Sequence, residues 1–171
     1  MRSHWRLAAV LLVQAGILAA MAGRHAAVRA WGTAVTLKTM PVDPYDLMSG
    51  YYLVLRYEVE QPLARLLPEG LRRGDRLWLV VRRAEPAWEL AAVERERPQP
   101  AADRVALPAR WDGSRATIDG ADRVYVPEAQ RAWAERLQRE NQSRGLVDLR
   151  VGSGGTVAVV RLRIGNASLG D

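Results

Sequence analysis

The chain has 171 residues, 49% hydrophobic and 26% charged, with no cysteine. This length supports one ordinary domain with a real core plus a short extra segment, while the missing thiols exclude disulfides, thiolate zinc sites, iron–sulfur clusters and cysteine nucleophiles. The formal charge is +6, but Arg2, Arg6, Arg24 and Arg29 supply +4 of it within the first 30 residues, leaving a nearly balanced remainder without the footprint of a nucleic-acid binder.

Both histidines, His4 and His25, lie at the start. Whatever folds after them has no imidazole for a Ser-His-Asp triad, for histidine acid/base work or for most transition-metal sites. From Leu7 to Gly23 the chain is uncharged, with Gln14 its single amide, and as a helix this run spans roughly 26 Å against a hydrocarbon core of roughly 30 Å. Trp5 can extend it as an interfacial anchor, so residues 5–23 are expected to enter the lipid bilayer. A single-pass signal-anchor is the favoured reading. A cleaved secretory signal ending at Ala20-Met21-Ala22 and a buried soluble helix are the alternatives. The division is therefore residues 1–30 as anchor segment and 31–171 as an exported domain. The anchor and signal readings both export the main body, and the arginine bias, in which Lys38 is the single lysine, suggests a GC-rich bacterial genome, so the expected location is a bacterial inner membrane with the main domain on the periplasmic side.

After the leader the pattern changes to alternation. Val35, Leu37 and Thr39 begin a strand, closed by the rigid turn Met40-Pro41-Val42-Asp43-Pro44. Tyr51–Val59 reads as a longer strand whose core face is Tyr51, Leu53, Leu55, Tyr57 and Val59. Leu47–Leu55 and Leu71–Leu79 both run Leu-x-x-Gly-x-x-Leu-x-Leu, with a glycine at each strand entry. Trp88, Leu90 and Ala92 suggest a strand before the solvated run at 94–100. Arg104–Trp111 and Ser114–Ile118 flank Asp112-Gly113, which predicts a hairpin with a two-residue turn, and Pro108 predicts an edge position. Val124–Val126 is a short strand. Pro127 then opens an amphipathic helix over 127–144, striped by Ala129, Trp133 and Leu137. Leu146–Val151 and Thr156–Ile164 form a final hairpin around Gly152–Gly155. That glycine run enters a strand and lacks a following Lys-Ser/Thr, so it is a turn and not a phosphate loop. The fold class is mainly β (α+β): a transmembrane helix, then one β-rich domain with a single amphipathic helix.

No paired carboxylates mark an acid/base site, and no cofactor or metal set is apparent. A Ser–Lys dyad of the type I signal peptidase kind fails, because Pro41 stands at the nucleophile position and Lys38 lies upstream of the box. Gly50-Tyr51-Tyr52-Leu53-Val54-Leu55-Arg56-Tyr57 resembles the signature of the GDYXXLXY proteins. Gly50, Tyr52, Leu55 and Tyr57 match it, with Tyr51 at the Asp position. Gly120–Glu128 resembles a later segment of the same family, through Tyr125, Pro127 and Glu128. The resemblance implies a membrane-anchored exported domain of uncharacterised function, often encoded beside multi-pass membrane proteins. The bottom-up reading of the motif is structural: Gly50 supplies a turn while Tyr52, Leu55 and Tyr57 pack the sheet. The expectation is a non-enzymatic accessory module partnering a multi-pass membrane protein. A metal-independent envelope enzyme or small-ligand binder using carboxylates and tyrosines is the alternative.

Overall fold

The computed structural model describes residues 2–40, 52–125, 145–164 and 167–169. Within them the two-residue alternation does become sheet. β1 (Thr33–Lys38), β8 (Gly145–Val151), β9 (Val157–Ile164) and β10 (Ala167–Leu169) form one antiparallel sheet in the order β1-β8-β9-β10. β3 (Arg76–Arg82), β4 (Glu89–Glu94), β5 (Arg104–Trp111) and β6 (Ala116–Ile118) form a second, in the order β4-β3-β5-β6. A short ribbon pairs β2 (Tyr52–Val54) with β7 (Arg123–Tyr125). β10 was not anticipated by the sequence pattern.

Both four-stranded sheets feed one core. Val35, Leu37, Val147 and Leu149 come from the first, and Leu77, Leu79, Val81, Leu107 and Ile118 from the second. Each is essentially inaccessible, and burying such a side chain stabilises the fold by about 1.5–3 kcal/mol. The edges of the two sheets are joined where the N–H of Trp88, just before β4, donates to the carbonyl of Thr36 on β1 at 2.8 Å.

Ahead of the sheets runs α1 (Arg2–Trp31), a helix long and apolar enough to cross a bilayer. Its large apolar residues from Trp5 to Met21 are exposed, whereas Val28 is buried. The helix outlasts the apolar run by two turns, and those turns dock on the sheet. The Arg24 guanidinium donates to Thr156 Oγ1 at 3.0 Å, and Arg150 returns a bond to the Gly32 carbonyl at 2.9 Å. A Cβ on Gly32 would stand 2.6 Å from the Val28 carbonyl oxygen and 3.0 Å from the Val151 nitrogen, so only glycine lets helix and strand approach this closely.

Three local expectations are corrected. The strand foreseen over 51–59 stops at Val54 and the chain turns into a 3-10 segment, Glu58–Glu60. The Glu60 carboxylate accepts the Tyr57 N–H at 3.2 Å, closing a turn where alternation alone predicts extension. Leu55, Tyr57 and Val59 nevertheless face the core as expected. Pro108 is not on an edge strand, since β5 lies between β3 and β6. The β6 ladder ends at Ala109, and the Pro108 carbonyl on that side accepts the Asp119 N–H at 2.9 Å, so the missing proline donor faces the stretch just past the ladder's end. The β5–β6 connection uses four residues, 112–115, instead of two. Asp112 Oδ1 accepts the N–H groups of Ser114 and Arg115, and Gly113 takes φ +105°. The turn at 41–44, Gly50, Tyr51 and the expected helix at 127–144 lie outside the described residues.

Candidate functional site: the signature junction and a groove beside α1

The two stretches that carry the family signature meet. β2 pairs with β7 so that Tyr52 lies directly opposite Tyr125, Leu53 opposite Val124 and Val54 opposite Arg123. The pairing continues as the Leu55 N–H donates to the Asp122 carbonyl at 2.8 Å. Tyr57 then inserts its ring into the core, fully buried, and its hydroxyl donates to the Ala121 carbonyl at 2.7 Å. On its other side Tyr57 bridges Thr39, whose N–H and hydroxyl engage Gly145 at the start of β8. Leu55 and Tyr57 thus tie both sheets to the ribbon. Pro127 and Glu128 lie outside the described residues.

Glu60 was not singled out by sequence, although it is the most buried carboxylate described, 2% exposed. One oxygen accepts the Tyr57 N–H and the other accepts the Ile118 N–H at 2.8 Å, linking the turn to β6. Burial pushes its carboxyl up to about 7, against the pull of those N–H groups and the charge of Arg115. Burial, reinforced by the nearby charges of Glu60 and Asp122, also raises the Tyr57 phenol well above its ordinary value. The Tyr57-x-x-Glu60 spacing, in which a carboxylate reaches back over a turn, was the available signal. Tyr57 and Glu60 are thus closed off from solvent and bonded to internal partners.

A different place is open. A groove of about 470 Å³ is lined by His25 of α1, Arg76, Trp78, Pro108, Asp119 and the turn residues Gly154 to Thr156. Arg76 and Trp78 alternate with the core residues Leu77 and Leu79, so they stand on the outer face of the β3–β5 pair. Above them the β8–β9 turn is fixed from several sides. Arg97 stands 5.3 Å over the Trp78 ring and also donates to the Ser153 carbonyl. At Gly155, with φ +83°, an added Cβ would lie 2.9 Å from the Trp78 ring. Arg76 is directly opposite Arg110 in the ladder, and Asp119 pairs with Arg110 at 3.5 Å. Among the described residues no cluster of three or more side chains suited to a metal occurs.

Comparison with known proteins gives one result. Neither the curated proteins nor the solved structures contain a match. The model of a family described as "GDYXXLXY protein" matches residues 14–162, from within α1 to the last core residue of β9. With the signature residues paired across the β2–β7 ribbon and the match spanning most of its length, the chain belongs to the GDYXXLXY family.

Proposed function

We propose that the chain is a membrane-anchored extracytoplasmic accessory module, single-pass in the bacterial inner membrane, whose partner is a multi-pass membrane protein. The observation that carries this reading is the unbroken course of α1. Its apolar length is exposed from Trp5 to Met21, yet the same helix continues to Trp31 and packs Val28 on the sheet. The small-x-small sequence Ala20-Met21-Ala22 sits inside this helix, which favours an anchor over a cleaved leader. A domain held this way is confined to the membrane plane, where its effective concentration toward a co-resident membrane protein is raised. The enzymatic alternative asks for convergent carboxylates at a cavity. Among the described residues the groove carries one, Asp119, already engaged by Arg110, and Glu60 is sealed from solvent.

The test is capture of the full chain through a C-terminal tag from mild-detergent membranes after brief in-cell crosslinking. A stoichiometric multi-pass protein is the expected companion. Recovery of the chain alone, in the soluble exported fraction and lacking its first 22 residues, would overturn the reading.

A further inference from the structure

The groove beside α1 has three properties that belong together. Its first wall is the helix itself. His25 follows Arg24, the residue that ends the uncharged run Leu7–Gly23, so when α1 spans a bilayer the groove opens at the level of the lipid headgroups.

Its second property is an unbalanced charge. Like charges placed directly opposite each other in a ladder are destabilising, and Arg76 faces Arg110 in that way with Asp119 the one carboxylate among the described residues that line the groove. That carboxylate is taken by Arg110. Among the described residues the side chains of Arg76 and His25 have no ion pair or hydrogen bond. Arg24 adds a further cation at the rim, 3.0 Å from where a Cβ of Gly154 would be. A fold that places two arginines together and leaves one unmatched at a cavity mouth has the local electrostatics of an anion site.

The third property is the shape of the walls. Gly120, Gly154 and Gly155 leave the backbone bare on one side, and Trp78 and Pro108 form an apolar floor on the other. The volume is in the range of small-ligand sites. A basic rim over an apolar floor, at headgroup depth, matches a molecule with an anionic head and an apolar continuation.

We propose that this groove binds the phosphate headgroup of an anionic phospholipid from the leaflet in which α1 ends. Arg76 is the principal contact, with its guanidinium donating to the phosphate oxygens. His25 and the Arg24 charge complete the rim, and the glycerol end lies against Trp78 and Pro108. The proposal rests on the reading of α1 as a membrane span, and its test separates the two. It extends the accessory reading by giving the domain a fixed seat on the bilayer.

The full chain is reconstituted in nanodiscs containing phosphatidylcholine with a minority of phosphatidylglycerol, and retained lipid is counted by native mass spectrometry. Parallel samples carry Arg76→Gln, or Arg82→Gln as a control at the far end of β3, where Arg82 already pairs with Glu89. The expected result is selective retention of phosphatidylglycerol, weakened about tenfold by Arg76→Gln, as for loss of about 1.4 kcal/mol, and unchanged by Arg82→Gln. Arg76→Gln is also expected to leave the melting temperature unchanged or raise it, since it relieves the facing arginines. Equal retention of both lipids, or equal effects of the two substitutions, would overturn the proposal. So would displacement of the lipid by inorganic phosphate at matched concentration, because the site would then serve a free anion. Resistance to alkaline extraction from membranes is measured separately. Its failure would remove the span and this proposal together, whereas extraction resistance with equal lipid retention removes the groove alone.

Discussion

The signature junction and the groove beside α1 are built on opposite principles. At the junction Tyr57 and Glu60 are matched by internal partners: the Tyr57 hydroxyl has the Ala121 carbonyl, and the two Glu60 oxygens have two backbone N–H groups. At the groove, cations face each other and one carboxylate is left to divide between them. The first arrangement favours a single conformation and hides its chemistry. The second costs the isolated domain some stability and is the kind of site a ligand would complete. The difference teaches that Leu55 and Tyr57 of the signature are spent inside the core, while the open groove is lined by residues outside the signature.

The sharpest way to break this comparison is at Tyr57. Tyr57→Ala removes a fully buried ring and is expected to cost about 3–5 kcal/mol, read by denaturant unfolding of the full chain in detergent. Tyr57→Phe keeps the ring but orphans the Ala121 carbonyl, and about 1–3 kcal/mol is expected. A loss below 1 kcal/mol for the alanine variant would mean that the junction is not a tie.

Glu60 comes next, through pH. Its carboxyl titrates near 4.5 when unfolded and near 7 when folded, so the folded state prefers the protonated form. Its contribution is therefore complete below pH 4.5 and is lost as pH rises through 7, on the order of 3 kcal/mol over that window. Glu60→Gln should flatten this fall when stability is followed across the window. An unchanged slope would place the titration elsewhere.

Smaller effects sharpen the other side. Gly155→Ala forces a side chain into a positive-φ position against the Trp78 ring. A loss of about 1–2 kcal/mol is expected, together with weaker lipid retention. Smallest is Asp112→Ala in the β5–β6 turn. Burial opposes charge on Asp112, but the N–H groups of Arg115 and Ser114, the Ser114 hydroxyl and the Arg115 guanidinium outweigh it and hold the carboxyl at about 2. Here the sign is reversed from Glu60: the contribution is present above the ordinary 3.8 and lost as pH falls through 2. About 1 kcal/mol is expected at neutral pH for this partly exposed turn, with no effect on lipid retention.

Much of the sheet was legible because one face of each strand is buried, and period-two alternation records that directly. β1, β4, β5, β8 and β9 were all foreseen near their observed positions. What was not legible depends on contacts distant in sequence. Glu60 closes its own turn on Tyr57, but its burial comes from β6, where its other oxygen accepts the N–H of Ile118, 58 residues away. Pro108 sits inside a sheet because β6 ends beside it. The groove was invisible for the same reason: Arg76 is an ordinary strand-entry cation until Arg110 faces it and α1 brings His25 alongside. The docking of Val28 was within reach of a closer reading, since an apolar residue flanked by Arg24 and Arg29 is poor membrane chain but good helix–sheet contact.

The unbroken α1 gives the molecule an angular setting. A helix advances about 100° and 1.5 Å per residue, and nothing interrupts it between the apolar run and the point where Arg24 and Val28 meet the sheet. The direction in which the β domain points is therefore locked to the faces of the apolar run of α1. One alanine inserted between Gly23 and Arg24 would swing the domain through more than a quarter turn while scarcely changing its height. Two such insertions would aim it nearly backwards, and a third or fourth would bring it round again.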